Sequence, residues 1–439
     1  MSTYTNRSAT ARAMLLAIPA LVLGLLLLLA LPAQPAAASC GGTTNVSNEA
    51  QLNAAITAFN GVASGTCVFT IALTQDIALT GSTTQINNTT TNVSLVIEGG
   101  SFTVNGQGTS GVRPFYIAAN TTVTMNNITV TGGNANDSGG GIRNHGTLTL
   151  ADSIINGNAT SSPNSGGGIY NGSGGTLAVN RSTISNNTAG NQGGGIGNLG
   201  ALTVTDSTIT GNTALQDGGG IYSSVNTPVV ITGSTIAGNT ATNRDGGGVF
   251  NTGNDMTIRN STISGNSAGG SGGGVYNESI LSLDSVTITG NTNSALYNAD
   301  YAAAQVTIKN SILANSTGGG GDCVLAGGTI NAEYSLIESG LTCVNGTKSN
   351  NLTGDPNLGA LANNGGPTQT HGPNVGSPAI NAGSTTLTKD QRGFERPDSD
   401  DIGAVERQNP TAVEMTRFEA RPAGLPEALA QLWRLLTGR

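Results

Sequence analysis

Charged residues are scarce in this chain of 439 residues. They make up 10% of the sequence, the formal net charge is -8, and lysine occurs only at Lys309, Lys348 and Lys389. Nucleic-acid binding requires a basic surface that contacts phosphates. A nucleic-acid partner is therefore not expected.

Histidine and cysteine are also rare, which bears on metal sites and catalysis. The two histidines, His145 and His371, and the four cysteines do not have the spacing of a zinc site. The sequence also lacks a phosphate-binding loop, a G-x-S-x-G elbow and an H-E-x-x-H helix. We predict no cofactor and no catalytic residues. Whether the protein is an enzyme stays open, although the residues favour a non-enzymatic role.

Glycine is abundant, and much of it recurs at a fixed interval. Successive triple glycines lie 25 to 28 residues apart and end at Gly141, Gly168, Gly195, Gly220, Gly248 and Gly274. A fixed period of this length is typical of a solenoid. Because no repeat has an apolar period of 3.6 residues, helical solenoids and leucine-rich repeats are poor fits.

Three apolar columns recur inside each repeat, in short segments that alternate apolar and polar side chains as β-strands do. The columns are Ile142, Ile169, Ile196, Ile221, Val249, Val275 and Leu296; the pairs from Leu148/Leu150 to Val306/Ile308; and Ile155, Ile184, Ile209, Ile236, Ile263 and Ile288. Three strands per turn predict an all-β fold, a right-handed three-stranded parallel β-helix whose coils lie about 4.8 Å apart.

Two columns of asparagine follow the first and third strands of each repeat. They are Asn144, Asn171, Asn198, Asn251, Asn277 and Asn298, interrupted by Ser223, and Asn158, Asn187, Asn212, Asn239, Asn266 and Asn291. Stacked asparagines can hydrogen-bond along the axis, and asparagine tolerates the left-handed conformation of tight corners. We interpret both columns as structural.

The N-terminus predicts export. Residues 1–38 combine Arg7 and Arg12, an apolar run and a small-residue cleavage site, as a signal peptide does. An uncleaved membrane anchor and a lipoprotein site at Cys40 are the alternatives. All three place the repeats in an extracellular or cell-surface location. Membrane contact is expected only through an unprocessed signal or an unidentified anchor.

The four cysteines form two close pairs in sequence, one near each end of the repeats. An even number in an exported chain predicts disulfides, here Cys40–Cys67 and Cys323–Cys343. Between the first pair, residues 45–60 predict a capping helix that covers the first coil and hides its edge. Its predicted N-cap is Ser47 or Asn48, and its apolar face is Leu52, Ala55, Ile56 and Phe59.

These features divide the chain into six segments. They are the signal peptide 1–38, a cap with irregular coils 39–100, regular repeats 101–316, glycine-rich coils with a disulfide 317–353, a C-terminal module 354–408 and a tail 409–439. In the tail, L-P-E-A-L-A-Q-L-W-R-L-L predicts a short amphipathic helix, without an LPxTG motif or a long apolar segment.

Residues 354–408 include G-D-P-N-L-G-A-L-A-N-N-G-G-P and D-Q-R-G-F-E-R-P-D-S-D-D-I-G-A-V-E. This segment resembles the C-terminal module of the choice-of-anchor Q family of exported β-helix proteins. The coils before it resemble polymorphic outer-membrane-protein repeats through G-G-G-I and I-x-x-N. The first resemblance implies that the module ends a surface β-helix and precedes a variable anchoring tail.

One column of the repeats is rich in aromatic residues. After the first apolar column come Arg143, Tyr170, Gly197, Tyr222, Phe250, Tyr276 and Tyr297. Since this position accepts arginine and glycine, it is predicted to face outward. Flat rings can stack on sugar rings, so we predict glycan contact at Tyr170, Tyr222, Phe250, Tyr276 and Tyr297. The alternative is a structural ladder of paired aromatics.

Charged residues give weaker candidates. Two stacks alternate in sign, which favours cross-strand pairing over catalysis: Asp152, Arg181 and Asp206, then Arg259, Asp284 and Lys309. A weak acid–base set consists of Arg143, His145 and Asp152. Ca²⁺ binding is considered for Asp398, Asp400 and Asp401, but pairing of these acids with Arg392 and Arg396 is favoured.

The sequence thus favours a secreted or cell-surface binding, adhesion or structural module, including a passive stalk. The expected partner is an extracellular polysaccharide or a surface glycan, and no oligomeric state is predicted. The alternative is a carbohydrate-active enzyme, either a polysaccharide lyase or a glycoside hydrolase. That alternative would need carboxylates clustered on one face or an Arg or Lys base beside them, and the sequence shows neither.

Overall fold

The chain folds as a parallel β-helix of about 11 turns, seen in a computed structural model. The structure describes residues 38–408 except 225–226, 254 and 397–398, and only the backbone of 38–41. Residues 1–37 of the predicted signal peptide and the predicted tail 409–439 lie outside the described residues. The described strands form three parallel sheets, so the prediction of an all-β, three-stranded β-helix is confirmed.

The first sheet has nine strands, one per coil. Its strands are Phe115–Ile117, Ile142–Asn144, Ile169–Asn171, Ile196–Asn198, Ile221–Ser224, Val249–Thr252, Val275–Asn277, Leu296–Asn298 and Cys323–Leu325. The third sheet has six strands of two residues each. They are Asn134–Ala135, Ala159–Thr160, Thr188–Ala189, Thr213–Ala214, Thr240–Ala241 and Ser267–Ala268.

The second sheet has 22 strands in two adjoining columns. One column is Ala38–Val46, Cys67–Leu73, Val93–Glu98, Thr122–Asn126, Thr147–Ala151, Thr176–Asn180, Ala201–Thr205, Val229–Thr232, Asp255–Ser264, Ile280–Thr289, Gln305–Lys309, Thr329–Glu333 and Lys348–Ser349. The other is Ile77–Ala78, Thr103–Asn105, Thr129–Thr131, Ile154–Asn156, Thr183–Ser185, Thr208–Thr210, Thr235–Ala237, Ile312–Ala314 and Leu336–Ile337.

Like side chains lie above one another in the core. Ile169 pairs in register with Ile196, and Ile196 with Ile221, and all three are fully buried. A single coil cannot shield such residues, so the stack of coils supplies the burial that stabilises the fold. This common buried row is the observation on which the sequence interpretation depended.

Three strands per turn had implied that each apolar column forms its own sheet. The third apolar column does not. Ile155 and its equivalents belong to the second sheet. A bend separates them from the preceding strand, with positive φ at Asp152 (52°), Arg181 (45°) and Asp206 (49°). The third sheet instead consists of short Ala- and Thr-containing strands such as Ala159–Thr160. Two-residue strands have no detectable alternation, so the sequence pattern missed them.

Asparagine ladders run along two corners. On one, Asn187 Nδ2 donates to Asn212 Oδ1 and Asn212 Nδ2 to Asn239 Oδ1, both at 2.9 Å. These residues are fully buried and do not have positive φ. The left-handed position is the preceding residue, for example Gly211 with φ of 64°. The predicted ladder is therefore present, but the left-handed geometry attributed to it belongs to its neighbours.

The first turn is covered by the helix α1 (Glu49–Asn60), with Asn48 as its N-cap. The Asn48 side chain accepts a hydrogen bond from the Gln51 backbone N–H, which otherwise has no helical partner. The four predicted apolar residues are its buried ones: Leu52, Ala55, Ile56 and Phe59. Asn48, one of the two predicted N-caps, is thus confirmed. The predicted segment 45–60 is four residues too long at its start, because Asn45 and Val46 end the strand Ala38–Val46.

A disulfide stabilises the C-terminal end of the β-helix. Cys323 and Cys343 are bonded as predicted, with their Cα atoms 5.8 Å apart. Cys67 is also disulfide-bonded, but its predicted partner Cys40 lies outside the described side chains. The bond at Cys323 closes a short loop next to Val344 and Leu341, which cover the last coils of the core.

The C-terminal segment 354–408 adds no regular coil and instead packs back along the second sheet. Thr368 Oγ1 donates to Gly233 O at 2.9 Å, and the Ala404 backbone N–H donates to Thr287 Oγ1 at 3.0 Å. Outward threonines of these coils, such as Thr235, are buried, whereas Ile154 on an uncovered coil is 44% exposed. The segment therefore covers the C-terminal coils in the column of the second sheet that contains Thr235 and Leu336.

Candidate functional site

The predicted aromatic column faces outward on the first sheet. Register aligns its members coil by coil: Tyr116, Arg143, Tyr170, Gly197, Tyr222, Phe250, Tyr276 and Tyr297. We call these eight residues, with the charged side chains that flank them, the strip. Each occupies the middle of a strand whose neighbours on both sides point into the core, so alternation alone places the column outside.

Four consecutive rings of the strip form a face-to-face stack. Tyr222 and Phe250 have ring centroids 5.4 Å apart, Phe250 and Tyr276 4.9 Å, and Tyr276 and Tyr297 5.1 Å, with interplanar angles of 21°, 9° and 6°. Phe250 is only 6% exposed. The stacked rings cover one another's faces, so a ligand would meet mainly their edges.

Tyr170 lies apart from this stack because Gly197 occupies the coil between it and Tyr222. Its ring instead contacts His145 at 6.0 Å and the Arg143 guanidinium at 5.9 Å. The structure therefore brings four of the five predicted glycan-contacting residues together and places the fifth in a different environment.

A basic cluster surrounds Tyr116 and Tyr170. Asp137 accepts ion pairs from both Arg113 and Arg143, so two guanidinium groups share one carboxylate. Arg143 Nε donates to His145 Nε2 at 3.0 Å, which requires that nitrogen to be unprotonated. Burial lowers the pKa of His145, and the charges of both arginines lower it further. Burial likewise lowers the pKa of Arg113 to about 10, which still leaves it charged at neutral pH.

An acidic cluster lies beside the stacked rings. Asp217 is buried, pairs with Arg244 at 3.5 Å, and accepts a 3.0 Å hydrogen bond from Gln192 Nε2. Burial raises the pKa of Asp245 and of Glu278, and mutual repulsion with Asp217 adds to both shifts. Three carboxylates here share one arginine among the described side chains.

Sequence reasoning missed this cluster. Asp217 and Asp245 each directly precede a triple glycine in successive repeats, and that recurrence was the available signal. The other members of this column are uncharged, so the carboxylates do not recur in every repeat: Ser138, Ser165, Gln192 and Ser271. Glu278 enters the cluster from the opposite side of the ring stack, immediately after the strand Val275–Asn277, and only the fold reveals this proximity.

The other predicted charged sets are arranged differently. Asp152 does not join Arg143 and His145, because it forms a bidentate pair with Arg181 at 2.8 and 2.7 Å on the second sheet. This agrees with the expected alternation of charge, and the pair is largely exposed. The structure therefore does not bring Arg143, His145 and Asp152 together as the weak acid–base set considered from the sequence.

The acids considered for Ca²⁺ are bound to the protein itself. Asp401 is buried and accepts hydrogen bonds from the backbone N–H groups of Asn381 and Arg407, while Asp400 accepts one from Thr385. Asp398 lies outside the described residues. The arginines pair with other acids than predicted: Arg392 with Asp390 at 2.7 Å and Arg396 with Glu406 at 3.2 Å. Within the described ranges, no group of three His, Cys, Asp or Glu side chains is placed to hold a metal ion.

One nucleophile–base geometry arises where the C-terminal segment contacts the second sheet. Ser264 Oγ lies 2.8 Å from His371 Nε2, and His371 Nδ1 donates to Gly359 O at 2.7 Å. Since the carbonyl fixes the proton on Nδ1, the hydroxyl of Ser264 is the donor to Nε2 in the neutral ring. Ser264 is 7% exposed beneath the segment, so this pair acts as a structural contact.

Comparison of the chain with protein-family models and with curated protein sequences finds no match. In the part of the chain that the structure describes, no helix has the length and apolar character needed to cross a bilayer.

Proposed function

We propose that this protein is an exported binding module that acts in adhesion, with the strip as its contact surface. The observation that carries this proposal is the concentration of side chains on the first sheet. In a chain with 10% charged and 4% aromatic residues, one face gathers a four-ring stack, a basic cluster and an acidic cluster. Such a concentration on one rigid face is typical of a recognition surface.

Glycan is the first ligand class to test. Of the five predicted residues, Tyr222, Tyr276 and Tyr297 would contact sugars through ring edges, and Tyr170 would contact them beside the basic cluster. Phe250 is only 6% exposed and would hold the stack together. Asp245 and Glu278 would accept hydrogen bonds from sugar hydroxyls. Both carboxylates are partly exposed beside the rings. Extracellular location is part of the same proposal, supported by the Cys323–Cys343 disulfide, since such bonds persist in oxidising compartments.

The resemblance of residues 354–408 to the choice-of-anchor Q module also belongs to the proposal. It is supported by position, because the segment follows the last described strand, Lys348–Ser349, and ends the regular stack. In this interpretation the segment closes the β-helix ahead of an anchoring tail.

A glycan array with the mature protein tests the proposed function. The variant carrying Tyr222→Ala and Tyr276→Ala should lose retention on the array and keep its fold, because both rings lie outside the core. The matched control is Tyr334→Ala, which removes a partly exposed tyrosine at the bend between the strands Thr329–Glu333 and Leu336–Ile337, away from the strip. Equal retention by the double variant and the control would remove glycan from the proposal.

A second candidate is a carbohydrate-active enzyme, and the acidic cluster is the observation that favours it. Carboxylates gathered on one face, with raised pKa values and an adjacent Arg244, are the feature that such an enzyme needs and that the sequence pattern did not show. A reducing-end assay on polysaccharides, with Asp245→Asn and Glu278→Gln as variants, tests it. Cleavage that both variants abolish would replace the adhesion proposal with an enzymatic one.

A further inference from the structure

Charge is segregated along the strip. Toward the N-terminal coils, Arg113 and Arg143 share Asp137, which leaves an excess of positive charge. Toward the C-terminal coils, three carboxylates share Arg244, which leaves an excess of negative charge. One half of the strip is thus basic and the other half acidic, with Gly197 and Tyr222 between them.

When a second strip runs in the opposite direction, its acidic half faces the basic half of the first, so the charges are complementary. Turned end to end about a point between Gly197 and Tyr222, it places Arg143 opposite Tyr276 and Tyr170 opposite Phe250, since register spaces these positions evenly. The same end-to-end turn matches residues in a second column, the position after each strand of the first sheet. His145 and Glu278 each follow the buried asparagine that ends a strand, and they lie equally far from the same centre.

We propose that the partner of the strip is a second copy of this chain, bound face to face with its helix axis antiparallel. This inference rests on the proposed function, because it uses the strip as a contact surface and names what occupies it. A two-fold axis through the centre would repeat each contact twice. Arg143, whose side chain is 25% exposed, would meet Glu278 and the ring of Tyr276 of the second copy.

The charge pattern selects the antiparallel arrangement. Parallel copies would bring acidic half against acidic half and basic half against basic half, which is repulsive. Antiparallel copies are also the arrangement that two facing cell surfaces impose on rods that each project outward. The charge pattern therefore suits contact between copies on opposite surfaces.

The size of the strip predicts a weak pair. Eight coils at about 4.8 Å per step give a length near 34 Å, and a width of about 10 Å gives about 700 Å² for both copies together. Stable complexes bury about 1,200–2,000 Å², so a single pair should form only transiently. Many copies on two surfaces would add their contacts through avidity.

Sedimentation velocity of the mature protein over a range of concentrations tests the pairing. The wild type should self-associate at about 20 mM salt and dissociate at about 500 mM, because exposed charges are screened. Arg143→Glu or Glu278→Lys alone should raise the dissociation constant at least about tenfold, because each reversal acts at two symmetric contacts.

Mixing the two reversal variants gives the decisive measurement. Each variant alone has matching charges at the contact, whereas the mixture restores opposite charges at both positions, so association should return only in the mixture. A structural role of these residues would not be rescued by mixing. If Arg143→Glu fails to fold, His145→Glu replaces it and leaves the pairs of Asp137 intact.

Two results would overturn the inference: a wild type that stays monomeric at millimolar concentration and low salt, or an unrescued mixture of folded variants. Glycan retention that depends on Tyr222 and Tyr276 would then leave the proposed function in place with a different partner. Loss of both self-association and retention would remove the strip as a contact surface.

Discussion

Replacing Asn212 with alanine tests the interior asparagine ladder. Asn212 is fully buried, and its Oδ1 accepts hydrogen bonds from the backbone N–H and the Nδ2 of Asn187 at 3.0 and 2.9 Å. Its Nδ2 donates to Ile184 O and Asn239 Oδ1, both at 2.9 Å. Alanine removes all four bonds and leaves two N–H groups of Asn187 in the core without an acceptor.

The expected loss follows from those orphaned donors. A buried polar group without a partner costs about 1–3 kcal/mol, so two such groups predict a loss of about 2–6 kcal/mol in the free energy of unfolding. That is a large share of the stability of an ordinary domain, which is about 5–15 kcal/mol. Asparagine at this position therefore contributes through its pairing and not through its corner conformation.

Urea unfolding of the mature protein, followed by circular dichroism, measures this loss. Thr203→Ala is the matched control, since Thr203 is exposed on the outer face of the same coil. It should cost less than about 1 kcal/mol. Equal losses for the two variants, or a loss below about 1 kcal/mol for Asn212→Ala, would refute the reasoning. Hydrogen exchange should also quicken at the amide of Asn187.

Three further predictions concern the C-terminal segment and the disulfide. Burial raises the pKa of Glu406 to about 7, so Arg396→Leu should cost most above that pH, up to about 3–5 kcal/mol in urea unfolding, where the ionised Glu406 carboxylate lacks its ion-pair partner. Burial lowers the pKa of His371 below its ordinary 6.5, so the unfolded chain binds more protons; stability should be complete above pH 6.5 and fall as the pH drops toward the folded value, and His371→Gln should remove that part of the slope. Removing the Cys323–Cys343 bond, which spans 20 residues, should cost about 3 kcal/mol in the same assay.

The Arg396 and His371 predictions each have a matched control. Lys389→Leu breaks an exposed pair with Glu395 in the same segment and should change stability by less than about 1 kcal/mol. Ser264→Ala removes a hydrogen bond of His371 but keeps its titration, so its pH slope should persist. A pH slope unchanged by His371→Gln, or an Arg396→Leu variant as stable as Lys389→Leu, would contradict the corresponding prediction.

Sequence periodicity predicted the direction of the aromatic column but not the geometry of its rings. Its outward direction followed from its tolerance of arginine and glycine, and the structure confirms that Tyr222, Phe250, Tyr276 and Tyr297 lie on one face. A ladder of paired aromatics was the alternative interpretation of this column, and these four rings do form one. The sequence pattern did not specify the face-to-face geometry, because that depends on rotamers and on coil spacing. The acidic cluster was missed since Glu278 approaches it from a different part of the coil.

By itself the sequence determined the β-helix, its buried isoleucine rows, the asparagine ladders, the capping helix and the Cys323–Cys343 bond. Each of these features either recurs along the axis or is local in the chain. Recurrence lets a sequence pattern that is weak in one coil be recognised over many coils. Only the tertiary structure decided that the segment 354–408 lies against coils 74 to 157 residues earlier, and that charge is divided along the strip. Those contacts occur once, between residues far apart in the chain, so no period or spacing marks them.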